Sequence, residues 1–569
     1  MKSVYALYIT TIISVVTHAQ QIWRSELLGR PTDSSVVVKL FFADSAEVKA
    51  DYGTISGSYT GHTNWQLVAD SEATVLTLSG LQPDTRYYYR IQYRNPGSSS
   101  ANNRPEGLFH TARKPGSAYV FTVQADPHVD PNSDTALYRR CLQNQLQDQA
   151  DFMIDLGDFL MTDKLKNASN IIPRDTIVYR SRLLRSFYEI SGHSLPLFIA
   201  NGNHEGEAGW YLNNTPDNIA VWDGLERKKY FCNPVPDHFY SGDTSTSMYI
   251  GKRESFYSWE WGDALFVVLD PYWYTMTKPD SLNGWRWTLG DQQYHWLENV
   301  LQQSHATFKF VFAHQLVGGD PQGRGGVEFA DYYEWGGKNL DGSPGFTQNR
   351  PGWAKPIKDL LTANRVNIFF HGHDHFFGQQ SKDCLLYQET PQPSLPNFSY
   401  PSQAAQYGYH DGWFVGNSGH LRISVSDAEV KVEYIRAYLP ADTNATHHNR
   451  DVAATYYIRK VNCYDSLQTG SPVLWNSDYF SQLAFPNPFQ QQTFIQFNLP
   501  DAEKVWLDIT DAQGRLVRHL IDGFSAPEGA TTVIWDGNND AGSPAPSGIY
   551  NYRLNAIHHQ SSGTLLLTR

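Results

Sequence analysis

Thiols, positive charge and long apolar runs are what this chain of 569 residues has least of. Its four cysteines, Cys141, Cys232, Cys384 and Cys463, show no CxxC spacing, which argues against a metal site built on paired thiolates. In an oxidising compartment they pair in any of three ways. Forty-five Lys and Arg stand against fifty-eight Asp and Glu, a net charge of −13. A polyanionic backbone therefore meets no cationic surface to steer it, and no nucleic-acid polymer is expected as a partner. The one long apolar run, "VYALYITTIISVV" after Lys2, is shorter than the roughly 20 residues of a spanning helix. Small residues at Thr17 and Ala19 follow it, the pattern of a secretory signal peptide (residues 1–19) cleaved near Ala19. No later segment is apolar enough to span, so no transmembrane segment is expected. The expected protein is exported: periplasmic, cell-surface or extracellular.

Aromatic residues, by contrast, make up 14% of the chain, with 16 Trp and 34 Tyr. They suit ring-bearing or carbohydrate-like ligands, and they equally suit large cores. The length predicts three or four domains. Residues 22–113 read as all-β, with "SVVVKLFF" rich in β-branched residues and alternation around a Pro-Asp turn. Leu78, Gly80, Leu81, Pro83, Asp84, Thr85, Tyr87, Tyr89 and Ile91 give this segment a pattern that resembles a fibronectin type III module. After a less regular connecting segment, 441–481, residues 482–569 return to short strands separated by Asp-Gly and Ser-Gly turns, as in a small sandwich. Asn487, Pro488, Asp511, Gly514, Arg515, Trp535, Asp536, Gly537, Gly548 and Tyr550 resemble the FlgD-like immunoglobulin fold and the C-terminal sorting domains of type IX secretion. That likeness implies secretion machinery or cell-surface attachment as a partner, although the tail lacks the basic residues common in sorting signals.

Between these, residues 118–440 alternate strands with helices. "YVFTVQA", "FMIDL", "LPLFIA", "ALFVVLD", "FKFVFA" and "VNIFF" are short apolar runs that stop at polar residues, and "SDTALYRRCLQNQLQDQ" opens on a helix cap at Ser133 or Asp134. In open α/β sheets ligands collect at the carboxyl ends of the strands, so the polar stops are predicted to share one face. Read in order, they are Asp126 and His128; Gly157-Asp158; Asn201, Asn203, His204 and Glu205; His314; and His371, His373, Asp374 and His375. Carboxylate, imidazole and amide ligands suit Mn, Fe or Zn. Their number exceeds one four-coordinate ion and fits two divalent ions about 3.5–4 Å apart, the clamp used for in-line displacement at phosphorus.

The ordered series D.H, GD, GNHE, H, GH.H resembles the calcineurin-like metallophosphoesterase superfamily. The likeness implies an α/β domain (a two-sheet β-sandwich flanked by helices), here between two all-β immunoglobulin-like sandwiches. It implies two divalent or mixed-valence ions, the first held by Asp126, His128, Asp158 and His375, the second by Asp158, Asn203, His314 and His373. A hydroxide bridging the ions is the expected nucleophile. His204 matches the catalytic histidine, with Glu205 as the partner expected to hold its tautomer. His371 and Asp374 are expected to support the ligands from behind. An N-terminal fibronectin-like module ahead of this fold is similar to purple acid phosphatases. That family's tyrosine ligand is replaced by Met161, and its first motif lacks the histidine found here as His128.

Arg324, in the glycine-rich stretch after His314, is a candidate for binding phosphate oxygens, and the aromatic stretch from Gly209 to Trp287 is expected to wall the metals. The expected activity is phosphate-ester hydrolysis. A phosphodiesterase or nucleotidase on the same site, or a surface-binding protein with a vestigial catalytic fold, are the alternatives.

Overall fold

The computed structural model describes residues 25–459 and 481–568, apart from short breaks at 281–282, 319, 321–322, 399–401, 411, 446, 486, 491, 500 and 527–528. The signal-peptide segment lies outside the described residues. Among the described residues no helix is long and apolar enough to cross a membrane. Cys141 and Cys232 are free thiols, and Cys384 is disulfide-bonded. Cys463 lies outside the described residues.

The centre of the molecule is a sandwich of two mixed sheets. One sheet runs, in spatial order, through β3 (Leu197–Ile199), β2 (Phe152–Asp155), β1 (Tyr119–Gln124), then Gly419–Val425, Glu429–Arg436 and Val452–Arg459. The other has eight strands, with Ala264–Val268, β4 (Phe308–Phe312) and β5 (Ile368–His371) side by side and parallel. Strands β1, β2 and β3 are also parallel. Within each sheet the labelled strands run parallel, their continuous apolar runs fit burial on both faces, and the loops that follow them meet.

Phenylalanine and tryptophan fill the seam between the sheets. Phe121 from β1 lies edge-on to Phe266 at 5.0 Å, and Phe152 from β2 meets Trp259 at 5.7 Å. Phe312 and Phe370 stack at 4.9 Å. Each such ring, truncated to alanine, is expected to cost about 3–5 kcal/mol. The outer face of the first sheet is covered by helices Thr135–Gln147 and Arg174–Gly192, whose Leu142, Leu184 and Phe187 pack on Met153 and Ile199. Asp134 caps the first of these helices, accepting from the backbone N–H of Ala136 and Leu137. Helices Gly290–Gln303 and Ile357–Ala363 cover the second sheet.

Val452–Arg459 is a strand of the first sheet. Read from the sequence as part of the connecting segment, it pairs antiparallel with Glu429–Arg436 as the outer strand of the first sheet. Ala454 and Ile458 of this edge strand are buried against the core, while the residues between them are half exposed.

Two antiparallel sheets flank this core on its N-terminal side, Ser25–Gly29/Ser35–Phe41/Ala73–Ser79 and one built on Ala46–Gly53 and Arg86–Arg94, closing over Leu28, Val36, Val38, Leu76, Tyr89 and Ile91. The C-terminal domain is a second pair of antiparallel sheets, three and four strands, around Phe497, Leu507, Trp535 and Leu554. Its motif residues are structural: Asp511 accepts from the backbone N–H of Gln513 and Arg515 to shape a turn, and Trp535 packs edge-on against Tyr550 at 5.1 Å.

Candidate metal centre

The loops after the five strands are bound to one another before any cation is considered. Asp126 N–H donates to Gly157 O (3.0 Å), His128 N–H to Asp158 O (3.1 Å) and Gly372 N–H to His314 O (2.9 Å). The carboxylates join in, Asp126 accepting from His373 N–H and Asp158 from His204 N–H, both at 2.8 Å. This proximity explains the motif glycines. A Cβ on Gly202 would collide with Asp158 Oδ1 and its backbone nitrogen, and one on Gly372 would lie 2.5 Å from Asp126 Oδ2. The chain also bends sharply here. Asp126, His128, Asp158, His373 and His375 all have positive φ, between 49° and 80°, a conformation that L-residues other than glycine adopt rarely and that persists where surroundings enforce it.

The side chains so aimed form two clusters, Asp126–His128–His375 and Asp158–His314–His373. In the second, His314 lies fully buried, with Nδ1 3.0 Å from Leu156 O. That contact fixes the proton on Nδ1 and leaves the Nε2 lone pair facing Asn203 Oδ1 (2.9 Å), Asp158 Oδ2 (3.2 Å) and His373 Nδ1 (3.2 Å). In the first, His128 Nε2 is 3.7 Å from Asp126 Oδ1 and 3.8 Å from Asp158 Oδ2, and His375 Nε2 is 3.4 Å from Asp126 Oδ1. Asp126 Oδ1 and His128 Nε2 are buried without a hydrogen-bond partner. Acceptors crowded against one another at a largely buried site are what a cation resolves. The charges reflect the same demand: against burial, which lowers it, Asp158 and Asp126 push the His314 pKa up to about 10. Despite burial, His314 and His375 hold Asp126 well below the usual carboxylate range. The donor set fits two ions, with Asp158 within reach of both clusters.

His204 sits beside the pair, partly exposed, with Nε2 3.9 Å from Asp158 Oδ2. Its Nδ1 is 2.7 Å from Asp163 Oδ1, on the short turn Thr162–Lys164. Asp163, not Glu205, is thus the carboxylate that holds the His204 tautomer. Glu205 turns the other way and accepts the backbone N–H groups of Asp158 (2.7 Å), Phe159 (2.7 Å), Leu160 (2.9 Å) and Gly202 (2.5 Å). His204 and Glu205 sit in a turn that sends their side chains to different partners. Burial, then the Asp158 charge, pushes Glu205 up to about 8 against the pull of those backbone donors.

His371 ends β5 away from the clusters, with Nδ1 2.7 Å from Glu389 Oε2 and its ring stacked on Phe369. Burial lowers it to about 3, so it is neutral. Glu389 Oε1 accepts from the N–H of Asp374 and His375, and Asp374 accepts from Arg324 Nη1 (2.7 Å), Gly325 N–H and Tyr409 Oη–H. Arg324 also lies over the Tyr407 ring at 4.2 Å. One arm of its guanidinium is therefore committed to Asp374, leaving less for a bidentate grip on phosphate than its sequence context suggests. In the aromatic stretch, Tyr272 approaches His314 at 6.3 Å and Trp287 approaches Tyr272 at 5.8 Å.

Reasoning from sequence missed Asp163 and Glu389. Asp163 had one legible signal, a carboxylate five residues beyond Asp158; Glu389 had none.

Strand ends, clusters and buried seam define a calcineurin-like metallophosphoesterase core with a dinuclear metal-binding site. Residues 119–377 match the family of that description, calcineurin-like phosphoesterase, and residues 487–560 match the FlgD Ig-like domain. Among solved structures the chain is similar to PhoD, with a TM-score of 0.55 at 16% identity over 77% of this chain and 90% of that one. It is also similar to purple acid phosphatase PPD1 from seeds of yellow lupin (Lupinus luteus), with a TM-score of 0.51 at 14% identity over 76% of this chain and 74% of that one. At such identities the likeness is one of fold. No curated protein matches the chain.

Proposed function

We propose that this metal-dependent phosphoesterase hydrolyses phosphate esters of an exported or surface environment, with water as the nucleophile and no covalent phosphoenzyme. The observation that carries the reading is the crowding of Asn203 Oδ1, Asp158 Oδ2 and His373 Nδ1 within 3.2 Å of His314 Nε2, a donor set that suits a metal ion. Asp126, His128, Asp158 and His375 are assigned to one ion; Asp158, Asn203, His314 and His373 to the other. Ions held there supply positive charge for the phosphoryl oxygens and acidify water. The neutral amide of Asn203 keeps the ligand shell from accumulating negative charge against the substrate.

His204 has its Nδ1 proton directed at Asp163, which leaves Nε2 to hold a proton facing the reacting phosphorus. It gives that proton to the leaving oxygen, and Asp163 stabilises the charged imidazole. Glu205 keeps the Asp158 loop rigid through its four backbone contacts. Arg324 is a secondary candidate for the phosphate, through whichever donors Asp374 leaves open. Met161 stands where purple acid phosphatases have a tyrosine ligand, so no tyrosinate colour is expected.

The flanking domains serve attachment or export in this reading. Tyr87 supports a fibronectin-like N-terminal domain: its hydroxyl accepts from Gln82 N–H at 2.9 Å, a tyrosine corner. The FlgD-like domain supports engagement of a secretion or surface partner.

The test is phosphate release from p-nitrophenyl phosphate and bis-p-nitrophenyl phosphate with Mn, Zn or Fe, before and after chelation. His204→Ala should lower kcat by about 10²–10⁴-fold and Asp163→Asn by about 10–100-fold, with metal content unchanged in both. Hydrolysis indifferent to chelation would refute the reading, and the ratio of the two esters separates monoesterase from diesterase.

A further inference from the structure

Helix Arg174–Gly192 carries a side chain outside every motif and every ligand set. Arg180, 6% exposed, directs its guanidinium at carbonyls of the two loops that begin the metal centre. Nε donates to Leu160 O (2.9 Å), Nη1 to Val129 O (2.8 Å), and Nη2 to His128 O (2.6 Å) and Phe159 O (3.2 Å). A buried cation that spends its donors on loop carbonyls is unusual for a helix that could have presented it to water.

Those loops need holding. His128 and Val129 are consecutive non-glycine residues with φ of 49° and 51°, and Asp158 has φ 57°. For a β-branched residue such as Val129 the left-handed region is a genuine outlier, because Cβ crowds the backbone carbonyl. Arg180 bonds the carbonyls of both residues of this turn and, from the same planar group, the two residues that follow Asp158. A lysine could not span them, since its ammonium offers three donors from one point where guanidinium offers five in a rigid fork.

We propose that Arg180 is a positioning residue for the ion assigned to Asp126, His128, Asp158 and His375. By locking the His128–Val129 turn it keeps His128 Nε2 facing Asp126 and Asp158. Of the second ion's ligands only the shared Asp158 lies in a loop that Arg180 touches; His314 has its own anchor on Leu156 O. The same helix also braces the N-terminal domain, where Arg185 Nη2 donates to Ser25 O at 3.1 Å.

The inference rests on the assignment of those four residues to one ion, and the experiment separates the two claims. Arg180→Lys and Arg180→Met proteins loaded with Mn are titrated with a chelator while metal per chain is counted. Wild type is expected to release two ions. In the variants one ion should bind about 10–100-fold more weakly and the other within about twofold of wild type. Val129→Gly, which lets the turn go left-handed without a Cβ, should restore the weakened ion in the Arg180→Lys background. Fewer than two ions in wild type would refute the dinuclear assignment itself. Two ions equally weakened, two unchanged, or no restoration by Val129→Gly would overturn the role of Arg180 alone. Should neither Arg180 variant fold, Val129→Asn decides: asparagine tolerates the left-handed turn, so one ion held more tightly supports the role, and both unchanged or weaker overturns it.

Discussion

In the C-terminal sandwich, the described residues in left-handed conformation are all glycines, Gly514, Gly523, Gly537 and Gly542; at the metal centre, beside Val129 and Gly157, they include five residues assigned as ligands, Asp126, His128, Asp158, His373 and His375. Both regions are β-rich and both turn the chain sharply. The sandwich uses residues for which the turn is free of steric cost. The centre places carboxylates and imidazoles where each costs about 1–2 kcal/mol, on the order of 5 kcal/mol or more together, comparable to the net stability of a domain. Such a deficit is held in place by the loop-to-loop hydrogen bonds, by Glu205 and Arg180, and by the cations the acceptors call for. The difference teaches where this molecule is shaped for folding and where for chemistry.

The largest blow to that contrast is Asp158→Asn. It removes the carboxylate that lies 3.2 Å from His314 Nε2 and 3.8 Å from His128 Nε2, one imidazole of each cluster, and activity should fall by at least about a thousandfold, with fewer than two ions retained by metal analysis. An active variant would contradict the shared role.

A milder test exchanges one glycine from each region. Gly202→Ala drives a methyl into Asp158 and the Glu205 carboxylate, so metal content and activity should both drop, by about tenfold or more, together with about 1–3 kcal/mol of stability. Gly542→Ala meets open space but keeps φ at 76°, so its cost should be about 1 kcal/mol, seen in denaturant melting, with metal content and turnover unchanged. Equal effects of the two on activity would dissolve the contrast.

The smallest expected effect compares buried carboxylates. Asp126, beside His314 and His375, is held low, whereas Glu26, buried in the N-terminal domain, is pushed up to about 7 by burial despite Arg104 at 3.7 Å. A folded pKa above the ordinary 4.5 means that the native state binds the proton more tightly. Stability from this group is full below about pH 4.5 and declines as pH rises to about 7, by at most about 3 kcal/mol. Glu26→Gln should flatten the melting temperature between pH 5 and pH 8. An unchanged slope would show that Glu26 is ionised throughout.

Much of the centre was legible because parallel buried strands read as continuous apolar runs, and a run that halts at Asp, Asn or His marks a strand end. In "NIFFHGHDHFF", His371 turns toward Glu389, while His373 and His375 lie in the two Asp/His clusters. Illegible were contacts made across the fold. Asp163, two residues after the apolar "FLM", was marked only by its nearness to Asp158 in the chain, and Glu205 was assigned to His204 because they are neighbours in the chain. Arg180 reads as an ordinary helix-surface cation, since periodicity reports which face is apolar and not what a long side chain reaches. Val452–Arg459 was hidden by its place at a sheet edge.

Anomalous diffraction from crystals grown with Mn or Zn tests the central claim most directly, that five strand ends hold two ions through a shared aspartate. The expected map has two peaks about 3.5–4 Å apart, one among Asp126, His128, Asp158 and His375, the other among Asp158, Asn203, His314 and His373. A single peak, or a pair that Asp158 does not join, would contradict it.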